Sequence, residues 1–168
     1  MTHLLPTTPI TTEAEAQKAA RASAISIFIG VLVGIASAVW TAMNPELVAS
    51  AVAAAEASTP GSGATAAAGA QVGVYMGYGI ILIQLVLGVV QWRSPNKIIA
   101  YIFIALIIIG LLLSLVGLAA SGAVPNMPVT PMWQVVLSVV IMIVQIVLHF
   151  TGLKGIKKLD QLPMDAAR

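Results

Sequence analysis

Four stretches of this chain, residues 22–43, 71–92, 98–120 and 132–152, are nearly unbroken runs of apolar side chains, each a little over 20 residues long. A helix needs about 20 such residues to cross a hydrocarbon core of roughly 30 Å. In that medium each backbone N–H and C=O must be satisfied within the protein, and a single apolar run achieves this as an α-helix. The sequence therefore predicts an all-α integral membrane protein with four transmembrane helices in a bundle. Composition agrees, since 8% of the residues are charged and 59% hydrophobic, against about 25% charged in soluble domains.

The placement of the cations predicts the topology. Lys18 and Arg21 precede the first span, Arg93 and Lys97 lie between the second and third, and Lys154, Lys157 and Lys158 follow the fourth; links 44–70 and 121–131 contain no Lys or Arg. Short loops rich in Lys and Arg stay on the cytoplasmic side. Both termini are expected inside (N-in/C-in), with the first and third links outside. The Ala36-Ser37-Ala38 triplet resembles a signal-cleavage site, but the apolar run is too long for a signal peptide and the segment before it carries two acids, Glu13 and Glu15, so an uncleaved span is expected.

Turn and cap residues divide the rest. An irregular cytoplasmic leader covers residues 1–12, a four-helix membrane domain 13–158 and a cytoplasmic tail 159–168. Thr12 with Glu15 forms a capping-box pattern that starts a helix near Glu13. Asn44 and Pro45 predict a cap and first position for a short helix over 45–58, read as lying on the outer surface, and Thr59 to Gly63 predicts a turn. Ser94-Pro95 and Thr130-Pro131 are read in the same way as openings of the third and fourth spans.

At about 100° per residue the spans have distinct faces. Small residues gather at Ser26, Gly30, Gly34 and Ala38 in the first, at Gly69, Gly73 and Gly77 in and before the second, and at Gly110, Ser114 and Gly117 in the third. Such ridges let helix backbones approach in lipid, where no hydrophobic force presses helices together. They are the expected packing faces, either within the chain or between chains. Polar residues share faces too: Gln84 and Gln91 lie near the glycines of the second span, and Gln134, Gln145 and His149 line one sector of the fourth. These five are the candidates for a polar path, and the alternative is that they hydrogen-bond between helices. Lys154, Lys157 and Lys158 are expected to meet lipid headgroups, in a short amphipathic tail along the inner leaflet.

Several kinds of chemistry lack their residues. The chain has no cysteine, hence no disulfide, thiolate ligand or thiol redox reaction. Zinc-binding HExxH, a phosphate-binding glycine loop, paired carboxylates and a nucleophile beside a base in sequence are all missing, so an enzyme is not expected. His149 is the sole residue in the apolar spans whose ordinary pKa lies near neutral pH, and the other histidine, His3, lies in the leader. A bis-histidine haem is therefore disfavoured, and no cofactor or metal is expected apart from bound lipid, with His149 and Gln145 the weak candidates for holding one. No basic aromatic surface suggests nucleic acid.

The resulting expectation is a non-catalytic integral membrane subunit that acts by helix packing, with lipids and with other membrane subunits or copies of itself as partners. The alternative is a small channel or carrier for a neutral solute along a Gln/Gly-lined path. A weaker one is lipid, quinone or pigment binding between helices. The Ala-rich composition and compact loops point to a bacterial inner membrane.

Overall fold

The computed structural model describes residues 9–121 and 131–166, and every element among them is a helix. They are α1 (Glu13–Ala20), α2 (Ala22–Met43), α3 (Pro45–Ser58), α4 (Gly63–Arg93), α5 (Lys97–Ser121) and α6 (Met132–Ala166). Four units, α1 with α2, α4, α5 and α6, are long and apolar enough to cross a membrane. The first eight residues with His3, the link 122–130 with Thr130, and the last two residues lie outside the described residues.

The chain enters α1 through the expected capping box: Glu15 N–H donates to Thr12 Oγ1 at 3.2 Å, and Thr12 N–H donates to the Glu15 carboxylate at 3.1 Å. Arg21 keeps helical angles (φ −68°, ψ −15°), so α1 runs into α2. Asn44 then breaks the path at φ −128° and ψ 67°. Its side chain does not cap α3 as the sequence suggested; Nδ2 turns back and donates to Trp40 O at 2.7 Å, serving a carbonyl that the end of α2 leaves unpaired. A similar shift occurs at α5. Ser94 closes α4 through its own N–H, and Asn96 caps α5 by accepting from Ile98 N–H at 2.7 Å.

The helices α4 and α6 outrun their expected limits. α4 starts at Gly63, eight residues before the second apolar run, and α3 folds back against this extension through a turn in which Gly61 takes φ +88°. That left-handed angle suits glycine. α6 continues through the lysine-rich stretch as one helix, where the sequence suggested a separate tail, because α1 packs along it and buries Ala16, Ala19 and Ala20.

Packing is lopsided. In space the main contacts run α4 to α2 to α6 to α5, and α5 lies on α6 rather than on α4, its neighbour in sequence. Buried side chains cluster where α1, the start of α2, the end of α4, the start of α5 and residues 148–156 of α6 meet. No described side chain between residues 32 and 87 is buried. The bundle is thus closed at the end carrying Lys18, Arg21, Arg93, Lys97 and Lys154, and open at the other.

Candidate functional site: a polar seam and an open cleft

The closed end is held by small residues and a line of hydrogen bonds. On α6, Gly152 and Gly155 lie so close to α1 and α2 that an added Cβ would fall 2.5 Å from Ser23 Cβ in the first case and against the backbone of Ala20 and Ala16 in the second. This contact brings α6 polar groups onto α2. Ser23 Oγ stands 2.8 Å from His149 Nδ1, and both residues are fully buried. One turn further, Ser26 Oγ donates to Gln145 O at 3.0 Å while Gln145 Nε2 donates to Ser26 O at 3.1 Å. Phe103 of α5 stacks on the His149 ring at 5.8 Å and 20°.

The seam ends at Gly30. A Cβ there would lie 3.1 Å from Gln145 Nε2 and 3.4 Å from Gln84 Oε1, so the amides of α4 and α6 converge over a residue with no side chain. Gln91 belongs to a different arrangement: its Oε1 accepts from Asn96 N–H at 2.9 Å and so braces the α4–α5 link. Gln134 sits half-buried towards the open end. The five polar-path candidates therefore do not form one file. Gln145 and His149 are committed to serines of α2, Gln84 joins Gln145, and Gln91 and Gln134 stand apart.

The small-residue ridges divide as well. Ser26, Gly30 and Gly34 face other helices of the chain, Gly34 so closely to Ile81 that a Cβ would come within 2.8 Å of it. Gly88 is equally tight against Phe28 and Ile27. Around Gly69, Gly73, Gly77, Gly110 and Gly117, however, nothing among the described residues stands within 4 Å of an added Cβ. Ser114 Oγ donates back to Gly110 O at 2.9 Å, within its own helix. Sequence reading missed Gly152, Gly155 and Ser23 as contact residues. Gly152 and Ile156 continue the Gln145–His149 sector at helical spacing, a signal present in the sequence.

At the open end, α2, α3 and α4 enclose a cleft of about 1350 Å³ whose walls include Ala38, Ala49, Ala70, Gly73 and Gly77 and whose deepest polar residue is Gln84. Gly30 and Gln84 also border a smaller chamber of about 210 Å³ that reaches Phe103, Met142 and Gln145. At the cleft mouth the Glu56 carboxylate accepts from Gly61 N–H at 2.7 Å and from Gly63 N–H. These two backbone bonds hold its pKa below the usual glutamate range.

Among the described residues the cations occupy the closed end. Arg21 lies over the Trp92 ring at 5.2 Å, and Phe28 approaches the same ring at 6.4 Å. Lys154 and Lys157 border a groove with Lys97, Tyr101 and Phe150, and Lys97 Nζ pairs with Asp160 Oδ2 at 3.7 Å. Chemically the Ser23–His149 pair matches a nucleophile and a base, but its complete burial closes it to a substrate. Compared with protein-family models, characterised protein sequences and solved structures, the chain matches none.

Proposed function

We propose that this chain is a non-catalytic integral membrane subunit that works by packing its helices against other membrane proteins or further copies of itself. In this reading the four long helices cross the membrane, the closed end with its cations faces the cytoplasm, as do both termini, and α3 lies at the outer surface. Lys154, Lys157 and Lys158 meet anionic headgroups of the inner leaflet. The composition and loops suit a bacterial inner membrane, with lipids as the further partners.

The observation that carries the reading is the set of glycines that touch nothing. Among the described residues, Gly69 of α4 and Gly110 and Gly117 of α5 have open space where a side chain would be, and they lie outside the cleft that Gly73 and Gly77 line. Glycine inside a helix costs about 1 kcal/mol relative to alanine. Among the described residues these positions gain no close contact in return. A helix packed against them from outside supplies one, as small-residue faces do in lipid.

Supporting the packing reading over a solute path, Gln145 and His149 are spent on interhelical bonds to Ser26 and Ser23. The test is a leucine at an open glycine. An added Cβ at Gly117 has no described atom within 4 Å, so with Gly117→Leu helical content is expected to be unchanged while the assembly dissociates in gentle detergent. An assembly that survives Gly117→Leu, Gly110→Leu and Gly69→Leu alike overturns the reading.

A further inference from the structure

The cleft between α2, α3 and α4 ends on a floor of carboxamides, and we infer that it binds a long apolar molecule whose buried end carries an uncharged carbonyl or hydroxyl group. Prenyl quinones and long-chain alcohols share that chemistry. The inference rests on the membrane placement proposed above and is independent of assembly.

Shape gives the first argument. The cleft follows α4 from Gly63 to Gln84, 21 residues or about 32 Å at 1.5 Å per residue. Spread over that length, the 1350 Å³ open to the centre of a water molecule gives a mean cross-section of about 42 Å² for that centre and, with a water radius of about 1.4 Å added at each wall, an opening about 10 Å wide. An extended hydrocarbon chain fits there without displacing α2 or α4. The alanine and glycine walls suit such a chain.

The floor gives the second. Gln84 and Gln145 converge over Gly30, where the missing side chain opens a neck between the cleft and the 210 Å³ chamber. Among the described residues the Gln84 carboxamide makes no hydrogen bond, and Gln145 spends an N–H on Ser26 O while its side-chain oxygen accepts none. Unpaired amides in an apolar setting are costly, and a ligand carbonyl or hydroxyl would satisfy them. The chamber beyond has room for a small ring or hydroxyl end.

Depth fixes the charge. Gly30, Gln84 and Gln145 each lie nine residues from a cation at the closed end, Arg21, Arg93 and Lys154 respectively. Nine residues span about 14 Å, close to the middle of a core roughly 30 Å thick. No Asp, Glu, Lys or Arg stands in the apolar spans to balance a charge there. A phosphate headgroup would stay at the interface, so the group on the floor is neutral. At the mouth, Glu56 turns its carboxylate onto the backbone of Gly61 and Gly63.

Native mass spectrometry of the full chain in detergent, with decylubiquinone, 1-hexadecanol or n-hexadecane added in turn, tests this. One equivalent of the quinone or the alcohol is expected to be retained and hexadecane is not, and the better-retained of the two identifies the source. Gln84→Leu, which removes the floor amide, and Ala70→Trp, which blocks the cleft midway, are each expected to weaken retention at least tenfold with helical content unchanged. Gly117→Leu is expected to leave it intact. Retention of none of the three, or of hexadecane equally, overturns the inference on the wild-type chain alone. So does a photo-crosslinker in place of Ala70 that captures a second copy or another polypeptide. A monomeric particle that retains the ligand would sink the assembly reading and leave this one standing.

Discussion

Where the α6 backbone meets α1 and α2, a single methyl group decides whether the helices touch. An alanine at Gly152 would place its Cβ 2.5 Å from that of Ser23. Relief requires a shift of two helices, with an overpacking cost of about 1–3 kcal/mol. Gly152→Ala is therefore expected to lower the thermal midpoint in detergent, whereas Gly117→Ala, with nothing nearby, is expected to hold or raise it in the dissociated chain. Equal responses would contradict the close contact. The serine beside it carries a second prediction. Ser23→Ala leaves His149 Nδ1 buried without its partner, and interhelical hydrogen bonds in membranes are worth about 0.6–1.7 kcal/mol in double-mutant cycles. A cycle with His149→Phe is expected to return a coupling in that range, measured from reversible unfolding in mixed micelles; zero coupling would mean the pair is not formed. This pair illustrates what the sequence hides. Its members are 126 residues apart, so no local spacing announces them.

Among the elements, the legible ones are those whose signals are local. The apolar runs placed the long helices, the Thr12–Glu15 box placed α1, and Pro45 and the Thr59 to Gly63 turn bounded α3 at Pro45–Ser58. What local signals could not decide was competition between adjacent ends. Asn44 was as good a cap for α3 as a stop for α2, and the geometry gave it to Trp40 O. Gly152 and Gly155 resembled the end of a helix, because glycine commonly follows one. Their role came instead from α1, at the far end of the chain. The α3–α4 turn yields a pH prediction. Backbone N–H groups lower the Glu56 pKa, so their contribution is present above the usual glutamate range and is lost as pH falls through the lowered pKa. The amide resonances of Gly61 and Gly63 are expected to move only below the usual range, and Glu56→Gln is expected to remove the transition. A midpoint at or above the usual range would show the clasp absent.

For the whole molecule, the two ends have different tasks. The closed end spends its alanines, serines and glycines on contacts within the chain, with Gly155 against Ala20 and Gly88 against Phe28. The open end leaves Gly69, Gly73, Gly77 and Gly117 uncovered by described residues and its cleft unfilled by side chains. Residue spacing announced the small-residue faces, but no periodicity tells whether a ridge is covered by the same chain or by another. That distinction depends on how far each pair of helices diverges from its closest crossing. The most direct measurement is the mass of the particle released gently from its native membrane. The account predicts more than one polypeptide per particle, as foreign subunits in fixed ratio or as copies of this chain, with dissociation caused by Gly117→Leu. A stable particle containing a single copy and no other protein would contradict it.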